Sequence, residues 1–345
     1  MRVLCRVMKV SRSCYYAYRV CEGLGERSVE EAVRVRDCFY KNSRRYGSRR
    51  IAAELGMGRF LVRRLMREQS LVAIQPRAFR PRTTDSGHGL LASPNLLLEV
   101  NNQPKTWGEC VVGDITYVPT RGGWAYLAMF QDKVTKRIVG WAISDSMTAD
   151  LVVRALQMAL RRGLIRRGCI VHTDRGSQYV STDFRSLLKR CGLRQSMSGK
   201  GNCYDNAQAE SFFSRFKTEL IEGGVFASIE EAESEIFTYI EGFYNPHRLH
   251  STLGYLTPIE FEYLVRFDNQ DLLNQILSQP VKRRRAMLAS ILSRNNRPET
   301  HRLMSHGETP KNRLALNHQS IDFPMPKKTQ TLKTNSTKRS ERIVS

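Results

Sequence analysis

Apolar positions recur at helical spacing through residues 1–74. They predict short helices, one over 28–42 and two within 47–71 that Gly56-Met57-Gly58 separates. The last of these helices carries a group of arginines. Paired short helices rich in arginine are typical of a helix-turn-helix DNA-binding region. An ordinary helical hairpin has the same pattern, so both interpretations stay open.

The periodicity changes after residues 75–104, which contain four prolines and little repetition and therefore predict a linker. Strand-like alternation follows in three segments with a turn at Gly122-Gly123, and helical and strand-like patterns then alternate. The predicted elements are strands at 109–120, 123–132 and 137–145, a helix at 148–163, a strand at 169–174, a helix at 182–192, a strand at 195–197, and helices after Asn206 and over 228–244. This order predicts an α/β fold of the ribonuclease-H-like, integrase-core type over 105–265.

Residues 266–345 differ from the rest of the chain in composition. They contain two aromatic residues, Phe267 and Phe323, and end in a polar, basic stretch. So few large apolar side chains do not offset the entropy of ordering a chain. We therefore predict a basic, largely disordered C-terminal extension.

Composition also bounds the class of protein. No run of about 18 apolar residues occurs, so no membrane span is expected, and the N-terminus lacks the apolar segment of a signal peptide. The eight cysteines form no Cys-x-x-Cys pair, which argues against a zinc ribbon and favours a reducing compartment. We expect a soluble, cytoplasmic protein.

The net charge of +22 is concentrated at the two ends of the chain. Residues 1–90 hold 20 basic and 8 acidic side chains, a balance of +12; residues 91–280 hold 20 and 21, a balance of −1; residues 281–345 hold 15 and 4, a balance of +11. Basic ends of this kind neutralise phosphates in proteins that bind nucleic acid. Solubility alone is the other interpretation, but the size of the excess favours nucleic acid as a partner and location at the nucleoid.

Two aspartates occupy unusual places in the predicted sheet. Asp114 interrupts the first strand on the face that it shares with Val112 and Val118. Asp174 ends the strand at 169–174, where open α/β sheets place ligand chemistry. Each has a structural alternative: a backbone hydrogen bond for Asp114 and a turn-forming role for Asp174.

Glu210 lies in the first turns of the helix for which Asn206 is the predicted N-cap. The apolar face of this helix is formed by Phe212, Phe213, Phe216 and Leu220. At 100° per residue, Lys217 lies within about 20° of Glu210, and both flank that face. They are therefore placed to face a site beside the sheet. A solvated glutamate near a positive helix end is the alternative.

Three carboxylates brought together on an α/β sheet repel one another and protonate unless cations hold them. Hard oxygen ligands favour Mg²⁺, or Mn²⁺ in its place. Two such ions activate an attacking oxygen and stabilise the leaving one in phosphodiester displacement. Asp114, Asp174 and Glu210 are thus predicted to bind metal and to be catalytic.

The spacing of the acids and the words around them resemble a known family. Asp114 and Asp174 are 60 positions apart, and 35 residues lie between Asp174 and Glu210. This is similar to the D,D(35)E signature of retroviral integrases and bacterial insertion-sequence transposases. The words "DITYVPT", "RIVGWAISD", "HTDRGSQYVS", "SMSGKGNCYDNAQAESFFSRFKTEL" and "YNPHRLHSTLGYLTPIEFE" resemble the second-frame (OrfB) transposases of the IS-three family. The resemblance covers residues 1–265.

The resemblance implies an integrase catalytic core preceded by helical DNA-binding modules, with Asp114, Asp174 and Glu210 as the triad. It implies two ions, Mg²⁺ or Mn²⁺, and gives Lys217 the role of holding a DNA phosphate near them. The implied function is metal-dependent DNA cleavage and strand transfer at insertion-sequence ends, with terminal repeats and target DNA as substrates. Assembly as a homo-multimer on DNA and cooperation with a first-frame (OrfA-type) protein are implied as well.

Other residues are predicted to contact DNA: Lys200 and Asn202 in the loop 199–206, and Arg49, Arg50, Arg63 and Arg64 in the helical region. His172 is interpreted as an orienting or structural residue rather than a metal ligand. Asp205 is interpreted as a loop or capping residue rather than a fourth ligand. For His247, Arg248 and His250, DNA contact and packing after the last core helix both stay open.

Two rival functions fit part of the sequence. A stand-alone ribonuclease-H-like nuclease needs the same triad, but the basic N-terminal helices and the 35-residue spacing favour the transposase. A DNA-binding protein without catalysis, such as a decayed transposase remnant, is the rival from another class. The intact triad argues against it.

Overall fold

The structure is a computed structural model that describes residues 11–75, 93–199, 206–221, 224–266 and 270–281, with single positions on either side of these ranges. Residues 76–92 of the predicted linker lie outside the described residues. So does the part of the predicted C-terminal extension from residue 292 onward.

The N-terminal region is helical, but its first helix is longer than the short helices that the sequence predicted. Helix α1 (Arg12–Lys41) runs for 30 residues. The segment has no proline, and a glycine inside a helix costs only about 1 kcal/mol, so its glycines do not end the helix. The apolar positions Val29 and Val33 are 65% and 38% exposed, because α1 packs through Val35 and Phe39 instead.

The predicted helical pair is confirmed as α2 (Ser48–Leu55) and α3 (Arg59–Glu68). Helix α2 ends at Gly56, whose φ of 63° lies in the left-handed region that favours glycine. Helices α1 to α3 share one apolar cluster, which also contains Leu249 from the α/β core. The buried face of α3 is formed by Val62, Leu65 and Met66. Its arginines therefore lie on the opposite, exposed face.

The α/β core contains a five-stranded sheet with the strand order β3-β2-β1-β4-β5. The strands are β1 (Cys110–Thr120), β2 (Gly123–Asp132), β3 (Ile138–Ser144), β4 (Ile170–Thr173) and β5 (Arg194–Met197). Strands β1 to β3 are antiparallel, and β4 and β5 extend the sheet in parallel from β1. All five predicted strands are confirmed.

Helices cover both faces of the sheet, as the ribonuclease-H-like fold requires. One face packs against α4 (Ala149–Arg161), α5 (Ser177–Val180) and α6 (Thr182–Arg190). The other packs against α7 (Ala207–Phe216) and α8 (Ile229–Phe237), which continue as π-helical turns over Lys217–Ile221 and Thr238–Tyr244. Two further helices, α9 (Pro258–Arg266) and α10 (Gln270–Ser278), share a smaller apolar cluster.

Part of the predicted linker packs on the sheet edge. Residues 93–104 contain two 3-10 turns, Leu96–Leu98 and Val100–Asn102. The Met197 N–H donates to the Pro94 carbonyl at 3.3 Å, and the Leu96 N–H donates to Ser196 Oγ at 3.0 Å. These bonds cover the free edge of β5. Among the described helices, none is long and apolar enough to cross a bilayer.

Candidate active site

Strands β1 and β4 bring two of the predicted acids together. Gly113 pairs with Thr173 in the parallel register, so Asp114 and Asp174 follow side by side where β4 ends. Neighbouring strands lie about 4.8 Å apart. Asp114 Oδ1 accepts a hydrogen bond from the Ile115 N–H at 2.8 Å, and Asp174 Oδ1 accepts one from the Gly176 N–H at 3.0 Å.

The charge of Asp114 is poorly compensated. Burial and the neighbouring charge of Asp174 raise the pKa of Asp114 to about 8, with a smaller contribution from Glu210. The Ile115 N–H and the Lys217 ammonium act in the opposite direction. Since the raising influences prevail, the free site disfavours the ionised carboxylate.

The third predicted acid, Glu210, is exposed in the first turn of α7. Helix α7 is held against the sheet by Phe212, Phe213 and Phe216, which confirms the predicted apolar face. The charge of Glu210 contributes to the raised pKa of Asp114, so the three predicted acids lie in one region of the fold. Among the described residues, no group of three or more His, Cys, Asp or Glu side chains lies close enough together to hold a metal ion.

Lys217 begins the π-helical turn after α7 and is partly buried beside the acids. Burial lowers the pKa of this ammonium, and the charge of Asp114 opposes that shift. Lys217 thus lies where its charge and the charge of Asp114 affect each other's pKa.

The donor chemistry of this region fits a divalent cation. Asp114, Asp174 and Glu210 supply only hard carboxylate oxygens, which suit Mg²⁺ and Mn²⁺. Burial, and then the charge of Asp174, raise the pKa of Asp114, as expected where acids lie together without a bound cation. These three residues are the candidates to hold the metal.

Side chains at the start of α7 fix this helix to the sheet, a feature that the sequence did not indicate. Gln208 Nε2 donates to Gln131 Oε1 and to the Asp132 carbonyl, both at 3.0 Å, and Gln208 Oε1 accepts from Lys136 Nζ at 2.7 Å. Asn206 stands at the N-cap position, but its side chain makes no capping hydrogen bond. The predicted N-cap position is therefore confirmed, although the side chain of Asn206 does not cap the helix.

The turn that follows α7 is fixed by a buried ion pair. Arg248 donates to both carboxylate oxygens of Glu219, at 2.9 and 2.6 Å, and the Tyr239 hydroxyl donates to Oε2 at 2.9 Å. Arg50 Nη1 lies 3.9 Å from Glu219 Oε1, and Arg45 Nε donates to the Glu219 carbonyl at 3.1 Å. The N-terminal helices thus contact the segment that carries the catalytic helix. The sequence signal for this ion pair was Glu219, an acid on the sheet-facing side of a predicted helix.

This network resolves two of the residues for which the sequence left packing and DNA contact open. Arg248 is 2% exposed and His250 is partly buried. Burial and the charge of Arg248 lower the pKa of His250 to about 2. Packing is confirmed for both, whereas His247 is exposed. His172 is also internal: its ring nitrogens lie 2.9 Å from Ser196 Oγ and 3.3 Å from Ser198 Oγ, which supports the structural interpretation.

The predicted DNA-contacting arginines divide into two groups. Arg49, Arg63 and Arg64 are exposed on α2 and α3. Arg50 points inward, where its Nε donates to the Leu249 carbonyl at 2.9 Å. The remaining predicted contacts, Lys200 and Asn202, and the predicted loop residue Asp205 lie outside the described residues.

Comparison with known proteins identifies the parts of the chain. Residues 105–203 match one integrase core domain family and residues 210–264 match a second. Residues 26–79 match an HTH-like domain. The helical pair thus belongs to an HTH-like unit, and membership of the integrase core family implies dependence on a divalent metal.

The fold also has similar solved structures. A chain from the simian T-cell lymphotropic virus intasome in complex with PP2A regulatory subunit B56 gamma is 13% identical, with a TM-score of 0.40 over 63% of this chain and 71% of that one. The HTLV-2 integrase catalytic core domain in complex with magnesium is 12% identical, with a TM-score of 0.34 over 47% of this chain and 99% of that one.

Similar protein sequences cover most of the chain. Transposase InsF for insertion sequence IS3A of Escherichia coli K12 is 41% identical over 276 residues, 76% of this chain and 93% of that protein. The insertion element IS600 31 kDa protein of Shigella sonnei is 41% identical over 265 residues, 75% of this chain and 97% of that protein. The chain therefore belongs to the IS3-type insertion-sequence transposases, a family of DNA-acting enzymes, as the sequence words predicted.

Proposed function

We propose that this transposase cleaves DNA at the ends of its insertion sequence and joins them to target DNA, with Asp114, Asp174 and Glu210 as the catalytic triad. The observation that carries the proposal is the side-by-side placement of Asp114 and Asp174, with the pKa of Asp114 raised to about 8. Uncompensated acid charge at a strand end is what a cation-dependent site requires.

Asp114, Asp174 and Glu210 would hold two divalent ions, Mg²⁺ or Mn²⁺. Bound there, such ions would supply Lewis acidity to the attacking and leaving oxygens of a phosphodiester. Attack by water forms one P–O bond, breaks another and releases a DNA 3′-OH, which can attack target DNA in the same way. Lys217, beside Asp114, holds a phosphate of the terminal DNA in register with the acids.

Exposed arginines of the HTH-like unit hold the DNA ends. Arg49, Arg63 and Arg64 are available for phosphates and base edges, and the N-terminal residues of α3 are those that a recognition helix places in the major groove. Lys200 and Asn202 extend the same surface in our proposal. Assembly as a homo-multimer on paired ends, cooperation with a first-frame protein and residence at the nucleoid follow from the same function.

A donor-cleavage assay with Mg²⁺ tests the triad. Asp114→Asn, Asp174→Asn and Glu210→Gln should each abolish cleavage and leave DNA binding largely intact, because the metal needs the charge whereas basic residues supply the affinity. Asp183→Asn, which removes an exposed acid from α6, is the matched control and should cleave as wild type does. Strong cleavage by any triad variant would remove that residue from the triad.

A further inference from the structure

Tyr179 is a fully buried side chain next to the active site whose function the fold alone does not explain. It lies in α5, five positions after Asp174, and is 1% exposed. Its ring packs edge to face against Phe184, with the centroids 5.5 Å apart, in the apolar cluster beneath the sheet. Its hydroxyl, by contrast, is buried without a hydrogen-bond partner.

The atoms around Gly176 show that the Tyr179 ring lies close to Asp174. A Cβ atom at Gly176 would lie 3.1 Å from Asp174 Oδ1 and 3.5 Å from the Tyr179 ring carbon Cδ2. The Asp174 carboxylate and the Tyr179 ring therefore both lie beside the same glycine. Burial, then the charges of Asp174 and Asp114, raise the pKa of the Tyr179 phenol well above its usual range.

Packing does not account for the oxygen atom. A phenylalanine would fill the same space against Phe184 without burying a polar group. A buried donor that lacks a partner is costly, and the rare examples in native proteins require a reason, such as a catalytic role. Among the groups whose charge acts on the Tyr179 phenol are the carboxylates of Asp174 and Asp114, both of which can accept a hydrogen bond.

We propose that Tyr179, whose ring lies beside Asp174, is a positioning residue and that its hydroxyl donates to the Asp174 carboxylate in the state that cleaves DNA. The hydrogen bond would fix the orientation of the carboxylate, so that the oxygen facing the metal is the correct one. Residues that hydrogen-bond to metal-binding side chains act in this way in other metal sites. This proposal rests on the proposed function of Asp174.

Tyr179→Phe in the full-length protein is the test, because it removes one oxygen atom and keeps the ring. We expect opposite effects on stability and activity. The melting temperature of the metal-free protein should rise by about 2–4 °C, since the unpartnered group is gone. DNA cleavage at saturating metal should slow by about 10- to 100-fold, and the rise in melting temperature on addition of Mn²⁺ should shrink.

Tyr46→Phe is the matched control. The Tyr46 hydroxyl is also buried, but it donates to the His247 carbonyl and accepts from the Leu249 N–H, both at 2.9 Å. Its loss should lower the melting temperature while the folded protein cleaves DNA at the wild-type rate. The two tyrosines should therefore give opposite patterns.

Cleavage by Tyr179→Phe within twofold of wild type, or a lower melting temperature, would overturn the proposal. Failure of the proposed function looks different, because wild-type protein would then not cut terminal DNA at all. In that case, the shift in melting temperature that Mn²⁺ induces decides whether Tyr179 positions Asp174. An equal shift in wild type and Tyr179→Phe would refute the role of Tyr179, and a smaller shift in the variant would support it.

Discussion

Asp114 and Glu219 are both acids removed from water, and their surroundings treat them in opposite ways. Burial and the charges of Asp174 and Glu210 raise the pKa of Asp114 to about 8. Burial would also raise the pKa of Glu219, but the hydrogen bonds and charge of Arg248, together with the charge of Arg50, lower it. The charge of Glu219 is thus compensated by arginines of the protein, whereas the charge of Asp114 is not fully compensated.

The difference separates a charge that is paired within the protein from one that is not. Glu219 holds the turn after α7 in place and joins it to the N-terminal helices through Arg45 and Arg50. Asp114 is less buried than Glu219. The Ile115 N–H and the charge of Lys217 offset the neighbouring acids only in part, so the pKa of Asp114 stays raised. The two acids therefore differ because Glu219 is paired with an arginine, whereas the charge of Asp114 is only partly offset.

The largest effect is expected from breaking the satisfied pair. Arg248→Met leaves Glu219 buried and uncompensated, so urea unfolding should show a loss of about 3–5 kcal/mol. Arg162→Met is the control, because its 2.7 Å pair with Glu241 is partly exposed and should contribute only about 0–1 kcal/mol. A loss below about 1 kcal/mol for Arg248→Met would contradict the structural role of the pair.

Removing the charge of Asp114 should instead increase the free energy of unfolding of the metal-free protein. The raised pKa of Asp114 means that its contribution to stability is full below pH of about 4 and is lost as the pH rises towards about 8. Metal-free Asp114→Asn should therefore exceed wild type in stability at pH 8 by about 2 kcal/mol, since partial exposure screens the full shift.

The measurement is urea unfolding between pH 4 and pH 8, with and without Mg²⁺. The difference between Asp114→Asn and wild type should be small at pH 4, and Mg²⁺ should reduce it at pH 8 by stabilising wild type alone. A metal-free variant that is less stable than wild type at pH 8 would show that the charge is compensated within the protein.

A smaller effect is expected at Lys217, whose charge lowers the pKa of Asp114. Lys217→Ala should weaken binding of terminal DNA by about fivefold in Kd, or about 1 kcal/mol, and lower the salt slope by about 1. Calorimetric Mn²⁺ affinity should stay close to wild type. Lys189→Ala, an exposed lysine on α6, is the control. Lost Mn²⁺ affinity with unchanged DNA affinity would reverse the assignment.

The smallest effect distinguishes two adjacent arginines. Arg49→Ala should reduce DNA affinity by about two- to threefold and lower the salt slope by about 1, with no change in stability. Arg50→Ala should instead destabilise the protein, because Arg50 bonds to Leu249 and lies near Glu219. Equal losses of DNA affinity at unchanged stability would return Arg50 to the DNA surface.

The strands and the acids of the site were within reach of the sequence. Alternation identified β1 to β3, and the apolar stripe of α7 fixed which face of that helix meets the sheet, so Glu210 was placed correctly relative to Phe212 and Phe216. The length of α1 could not be predicted from the sequence, because the short helices that we predicted form one helix that continues through Gly23 and Gly25. Intrinsic propensities near such glycines are too small to decide between a break and a continuous helix.

The sequence by itself determined the order of elements, the family and the three acids, since these depend on local period and on spacing along the chain. Only the tertiary structure decided which charges are compensated. Glu219 and Arg248 are 29 positions apart, and Arg50 is 199 positions from the Leu249 carbonyl to which it donates. Burial and pairing are set by groups that meet only after folding, so neither Arg50's inward orientation nor the unpartnered hydroxyl of Tyr179 has a local signal in the chain.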